Sequence, residues 1–185
     1  PQGRQGQLGI IPDMTTFGKY IGGGMTFGAF GGAAKLMSYF DPSRPNALLH
    51  SGTYNNNVMS MAAGVAALEQ VLTPEVVTRL NQSGEDLRDR LNRLAEARDV
   101  PVRVTGVGSI LCIHLHDRPI TSPAVAKQSD PRARALFHLE MLQRGFYLAR
   151  RGFMSLSLPL AQQDYDGFAD AFEDVIITMK PHLAS

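Results

Sequence analysis

The residues most able to do chemistry lie in one run, Pro12–Asp13–Met14–Thr15–Thr16–Phe17–Gly18–Lys19–Tyr20–Ile21–Gly22–Gly23–Gly24. A single lysine stands there between a strand-forming segment and a glycine triplet. A free lysine amine has a pKa near ~10.4 and is a poor nucleophile at neutral pH, until burial or a nearby positive charge lowers that value. An amine held at a strand end, with glycines leaving room for a flat ligand, suits an imine to an aldehyde cofactor. Once displaced by a substrate amine, the same group can carry a proton between two carbons. Two phosphate-loop alternatives fail on spacing. A Walker loop needs glycine at 13 and Ser or Thr at 20, where Asp13 and Tyr20 stand. The dinucleotide fingerprint starting at Gly22 needs a third glycine where Phe27 stands. On these residues alone, a surface lysine at a turn remains the alternative.

Other candidates carry less. His114 and His116 are spaced i,i+2 in a strand-like segment and could bind a metal, but no Cys or carboxylate sits at ligand spacing, so no metal is expected. Cys112 lies on the same alternating face and reads as core. His50 beside Ser51 hints at a nucleophile pair without supporting context. Asn55–Asn56–Asn57 reads as a turn, or as a loop lining a cofactor site. The arginines at 88, 90, 93 and 98 are interleaved with acids, a mixed face and not a nucleic-acid stripe.

These residues must be positioned by a chain of 185 residues with 18 basic and 17 acidic side chains, 44% hydrophobic and 19% charged. Such values exclude a disordered tail and a supercharged nucleic-acid binder. The length allows one substantial core or two small ones. No apolar run approaches the ~20 residues of a membrane span, and PQGRQGQLGI lacks the pattern of a secretory signal. One cysteine permits no internal disulfide, which suits a reducing compartment; a cytoplasmic location is expected. Opening on Pro1 suggests a piece of something longer.

Most of the 18 glycines fall within the first 58 residues, so the front is loop-rich and the back is built from amphipathic elements. Residues 14–18 and 27–31 read as strands. A short helix over 33–40 stops before Asp41–Pro42, and 46–57 form a polar loop. A helix over 58–72 is dense in small residues (Ala62, Ala63, Gly64, Ala66, Ala67) and is expected to be buried. Thr73 and Pro74 start the next helix, which runs to about Arg98 with an apolar stripe of Leu80, Leu87, Leu91 and Leu94. Its i,i+4 pairs are Asp86–Arg90 and Asp89–Arg93. Strands at 102–105 and 109–116 are joined by a Gly106–Val107–Gly108 turn. A helix over 131–144 closes at Gly145, and 154–158 form a strand. The last helix has Tyr165, Phe168, Phe172, Val175, Ile176 and Met179 on one face, with Ala161 where Ser or Thr would cap better. From about residue 75 the order predicts a small antiparallel or mixed sheet covered by helices.

The lysine segment resembles the cofactor-lysine motif of the class-III, pyridoxal-phosphate-dependent aminotransferases. The resemblance continues through Gly28–Ala29–Phe30–Gly31–Gly32. It returns at His50–Ser51–Gly52–Thr53–Tyr54–Asn55–Asn56–Asn57, followed by Met61–Ala62–Ala63–Gly64, and again at Arg151–Gly152–Phe153–Met154–Ser155–Leu156–Ser157–Leu158–Pro159–Leu160. Three separated blocks in the same order cover nearly the whole chain. It looks like the second half of such an enzyme, most similar to β-amino-acid (β-phenylalanine) aminotransferases, with glutamate-1-semialdehyde 2,1-aminomutases as close relatives.

The resemblance implies an α/β fold of fold type I. Residues 1–72 would be the lysine-bearing part of the large cofactor domain, and residues 73–185 the small C-terminal α/β domain. It implies pyridoxal 5'-phosphate as cofactor and Lys19 as Schiff-base lysine and proton shuttle. Gly52 and Thr53 would reach the cofactor phosphate of the neighbouring subunit in a homodimer. Arg151 would bind the substrate carboxylate through two parallel hydrogen bonds; Arg150 beside it would point the opposite way in an extended segment. The implied reaction is ping-pong transfer of an amino group from an amino acid, a β-amino acid favoured, to an oxo acid. The alternatives are intramolecular amine transfer of the aminomutase type and, in another class, a non-catalytic fragment that only dimerises or pairs with its missing half. The family's pyridine-nitrogen aspartate, ring-stacking aromatic and second phosphate donors belong upstream of residue 1. Asp13 is too close to Lys19 to be that aspartate and is assigned to the turn after Pro12. The chain alone is therefore expected to be inactive, completed by an N-terminal half, with no nucleic-acid or membrane partner.

Overall fold

The computed structural model describes residues 3–183, which fall into two compact units divided between Val77 and Thr78. Both helices and antiparallel strands are present, consistent with an α/β fold.

The first unit begins with a short helix α1 (Gly3–Gln7), then a hairpin of β1 (Met14–Gly18) and β2 (Gly28–Gly32). The strands pair antiparallel from Met14 opposite Gly32 to Gly18 opposite Gly28. Glycine at 32 is required, because a Cβ there would collide with the backbone of Asp13 and Met14. A 3-10 turn, Lys19–Gly22, opens the connection between the strands. Helix α2 (Ala34–Met37) and a 3-10 turn through Phe40 end before Asp41–Pro42, as the proline requires. Phe30, Phe40 and His50 form an aromatic cluster with centroid separations of 5.0, 5.1 and 6.3 Å.

Helix α3 (Val58–Gln70) starts at an Asn57 cap, whose side-chain oxygen accepts from Met59 N and Ser60 N at 3.0 and 3.2 Å. The expectation that α3 is buried does not hold. Only Ser60 and Gly64 are buried, while Val58 is 78% exposed, and Met59, Val65 and Leu68 are also exposed. The physical reason is that its small residues make one narrow line of contact, against the 3-10 turn, and leave most of its apolar residues exposed. Every buried hydrophobic side chain among the described residues lies at position 87 or later. The first unit therefore has no apolar core of its own.

The second unit has one. Helix α4 (Pro74–Ala97) precedes β3 (Arg103–Val107) and β4 (Ile110–His114). After them come a short α5 (Pro123–Ala126), α6 (Pro131–Gln143), β5 (Phe153–Ser155) and α7 (Gln162–Leu183). The sheet is antiparallel throughout, in the order β3-β4-β5. Leu87, Leu91 and Ala95 of α4 share the core with Val104, Leu111 and Ile113 of the sheet, Phe137 and Met141 of α6, and Phe172, Val175, Ile176 and Met179 of α7. Burying each large side chain contributes about 1.5–3 kcal/mol. Ala161 lacks a capping side chain, but its N–H donates to the Asp164 carboxylate at 2.7 Å, the reciprocal half of a capping box.

Three further expectations are corrected. The β3–β4 hairpin turns at Gly108–Ser109, since Val107 pairs with Ile110. Glu85 and Asn81 of α4 accept from the N–H groups of Gly108 and Ser109 at 2.7 and 3.1 Å and hold the turn there. The Asp86–Arg90 pair gives way to Arg90 bonding Asp166 of α7 at 2.5 Å, while Asp86 takes Gln82 at 2.9 Å. Asp89 is held by Arg88 at 2.8 Å and not by Arg93. Other partners displace these pairs, one from α7 and two from α4 itself, because surface i,i+4 ion pairs are worth only ~0.3–0.5 kcal/mol.

Candidate active site

Lys19 follows directly on β1. Its backbone is left-handed, φ +58°, although it is not a glycine. That conformation costs a side-chain-bearing residue on the order of 1–3 kcal/mol and persists only where surroundings impose it. They do so from two sides. The hairpin ladder runs up to Gly18, the residue before Lys19. Beyond it, the 3-10 turn closes on Gly23, at φ +60°, whose N–H donates to Tyr20 O at 3.0 Å. Helix α3 presses on this turn. A Cβ at Gly23 would overlap the Ala63 carbonyl, and one at Gly64 would sit 2.7 Å from Ile21 O. Ser60 adds a hydrogen bond from its hydroxyl to Thr26 O at 2.9 Å. The small residues of α3 thus serve to seat the lysine turn. The Lys19 side chain is exposed and takes no protein partner among the described residues.

Gly52 and Thr53 lie in an irregular, exposed loop of the same unit. The asparagine run organises it. Asn55 N donates to Gly52 O at 3.0 Å, Asn55 Nδ2 donates to His50 O at 3.3 Å, and Asn57 caps α3. The Thr53 hydroxyl and the Gly52 N–H remain without a protein partner among the described residues. Among the described residues, no hydrogen bond joins this loop to Lys19.

Arg151 belongs to the second unit. It does not lie in an extended segment: Gly152 N donates to Ala149 O at 2.8 Å, so Arg150 and Arg151 are the two corners of a turn, both exposed. The expectation that they point opposite ways along a strand therefore fails. The Arg151 guanidinium carbon lies 5.0 Å from the centroid of the Phe153 ring. A cavity of about 540 Å³ adjoins this region, lined by Phe146, Leu148, Phe153, Leu156, Tyr165 and Phe168 among others. Sequence reasoning singled out Arg151 but not its contact with Phe153, which depends on the turn at residues 150 and 151.

The remaining candidates resolve as structure. His114 is buried, with Nε2 2.9 Å from the Thr105 hydroxyl. Burial, and then the neighbouring His116, hold its imidazole below the usual value of 6.5. Cys112 is half-buried, short of the expected core position, and its thiol points to Arg151 O at 3.7 Å. Burial pushes that thiol up, with Arg151 and Arg134 pulling the other way. Among the described residues, no three His, Cys, Asp or Glu side chains are grouped to hold a metal, and no helix is long and apolar enough to cross a membrane.

Comparison with known proteins agrees with the three motif blocks. The family model "Aminotransferase class-III" matches residues 4–175. The β-phenylalanine transaminase of Variovorax paradoxus is 46% identical over 176 residues, covering 95% of this chain and 40% of that protein. A crystal structure of a β-phenylalanine aminotransferase from the same organism superposes with a TM-score of 0.92 at 45% identity, over 97% of this chain and 41% of the other. A glutamate-1-semialdehyde 2,1-aminomutase of Lachnoclostridium phytofermentans is 36% identical over 182 residues, 98% of this chain and 41% of the relative. A solved transaminase with PLP bound superposes with a TM-score of 0.83 at 30% identity, over 99% of this chain and 42% of that one. The chain thus spans about two fifths of the length of the relatives it matches. It belongs to the class-III aminotransferases, a family of pyridoxal-phosphate-dependent enzymes.

Proposed function

We propose that this chain is the lysine-bearing part of an enzyme that moves an amino group from an amino acid, a β-amino acid favoured, to an oxo acid by a ping-pong mechanism. The observation that carries this reading is Lys19, an exposed amine on a left-handed backbone that the hairpin and α3 jointly impose. The residues present fit pyridoxal 5'-phosphate. They provide an amine without a protein partner, and a loop with an unpartnered hydroxyl and N–H of the kind that holds a phosphate. When bound, the cofactor supplies an aldehyde and an electron sink for the bond-breaking next to the amine. Lys19 would hold it through Nζ and, once displaced by the substrate amine, the same Nζ would carry a proton between two carbons. Gly52 N–H and the Thr53 hydroxyl hold the phosphate belonging to the neighbouring subunit of a homodimer. Arg151 grips the substrate carboxylate and so orients the reacting carbon.

In this reading residues 1–72 complete a large domain with residues outside the chain, and 73–185 form the small domain. The lack of an apolar core in the first unit supports that assignment. The 185-residue chain alone then gives no turnover with any amine, and measurable transaminase activity of the purified chain refutes that part. For the complete enzyme the test is Lys19→Ala. Turnover should be lost while the fold, read by circular dichroism, is kept; unchanged turnover overturns the reading.

The 36% identity to an aminomutase over 98% of the chain favours one second reading, amine transfer within a single semialdehyde. Supplying glutamate 1-semialdehyde without an amino acceptor separates the two, since only a mutase then forms product.

A further inference from the structure

Arg151 sits at the corner of an exposed turn, where a long guanidinium side chain has many rotamers to lose when it binds an anion. The structure removes part of that freedom in advance. The turn is closed by Gly152 N–H to Ala149 O at 2.8 Å. Gly152 is left-handed, φ +83°, and its carbonyl accepts from Ile113 N at 2.9 Å, which ties the turn to β4. The Arg151 carbonyl receives the Cys112 thiol at 3.7 Å. With the backbone held, the side chain lies over the Phe153 ring, its guanidinium carbon 5.0 Å from the ring centroid. The ring thus takes one side of the guanidinium. Its N–H donors lie in the plane, at the edge, and no carboxylate among the described residues takes them.

We propose that Phe153 is a positioning residue, whose ring holds the Arg151 guanidinium flat so that its edge presents two parallel N–H groups to a substrate carboxylate. This rests on the reading of Arg151 as the carboxylate binder. Phe153 itself touches no reacting atom. An exposed cation–π contact corresponds to about a 2- to 5-fold change in affinity, or about 0.5–1 kcal/mol at 1.4 kcal/mol per tenfold.

The test is calorimetric binding to the complete, cofactor-loaded enzyme, with 3-phenylpropionate as an unreactive carboxylate probe and 3-phenyl-1-propanol as an unreactive probe without a carboxylate. Phe153→Leu keeps apolar volume and removes the ring. It should weaken 3-phenylpropionate about 2- to 5-fold and leave 3-phenyl-1-propanol unchanged. Phe153→Tyr keeps a ring and should restore the affinity. Equal weakening of both probes, or failure of Phe153→Tyr to restore, makes Phe153 a merely structural residue and overturns the proposal. Arg151→Ala separates the two layers. If it weakens 3-phenylpropionate and Phe153→Leu does not, the Phe153 proposal alone fails. If Arg151→Ala leaves the affinity intact, or the unsubstituted enzyme does not bind 3-phenylpropionate, the carboxylate reading of Arg151 fails and takes the proposal with it.

Discussion

Gly152 and Gly145 offer a matched pair for testing how the Arg151 turn is held. Both are left-handed, with φ of +83° and +89°. An alanine at either position meets the same conformational strain, about 1–2 kcal/mol. Each also gains about 0.4–1 kcal/mol from a stiffer unfolded chain. These effects cancel when the two variants are compared. The surroundings do not cancel. Nothing lies within 4 Å of a Cβ at Gly145, whereas one at Gly152 would overlap the Ile113 carbonyl. Relieving that overlap strains the Ile113 N–H···O=C Gly152 bond of 2.9 Å, worth about 0.5–1.5 kcal/mol. It also shifts β5 against β4, where Leu111 pairs with Met154, at an overpacking cost of about 1–3 kcal/mol. Gly152→Ala should therefore destabilise the chain by about 1.5–4.5 kcal/mol more than Gly145→Ala. Urea unfolding of the two variants reads the difference as a gap in midpoint at equal slope. Equal midpoints would refute the idea that the turn is tied to β4, and with it the geometry assigned to Arg151.

Other outcomes follow from the same packing. Leu91→Ala, at a fully buried site, should cost about 2–5 kcal/mol, while Leu68→Ala, 47% exposed, should stay within about 0.5 kcal/mol in the same urea assay. Asn57→Ala removes the α3 cap and should cost about 0.5–2 kcal/mol, a loss that Asn57→Asp largely avoids. Because burial keeps His114 below its usual pKa of 6.5, the unfolded chain takes a proton that the folded chain resists. That contribution to stability is complete above about pH 6.5 and declines as the pH falls below it. His114→Asn should flatten the stability profile between about pH 7 and pH 5, and an unchanged slope contradicts this assignment.

Where side-chain periodicity alone decides, the elements were legible. The Phe172, Val175, Ile176, Met179 face of α7 and the alternation Leu111, Ile113, Leu115 both point into the core. Proline and glycine punctuation placed the end of the helix before Asp41–Pro42 and the close of α6 at Gly145. What depends on partners distant in the chain was not legible. Whether α3 is buried depends on what faces Val58 and Val65, which are 78% and 53% exposed. The ion pairs of Arg90 depend on α7, some 76 residues away. The hairpin turn lies at Gly108–Ser109 because Glu85 and Asn81 of α4 accept hydrogen bonds from its N–H groups. Short helices such as α5, four residues capped by Ser122, have too little period to be recognised. In the site, Lys19 was legible from its glycines and its motif. The contact of Arg151 with Phe153 was not, because it depends on the turn at Arg150–Arg151 that aims the guanidinium over the ring.

Borohydride reduction of the complete, cofactor-loaded enzyme, followed by peptide mapping, tests the role of Lys19 most directly. The pyridoxyl label is expected on the peptide spanning Gly18 to Tyr20, attached at Lys19 Nζ. A label on a different lysine of an active enzyme would contradict the assignment of this amine as the cofactor's anchor.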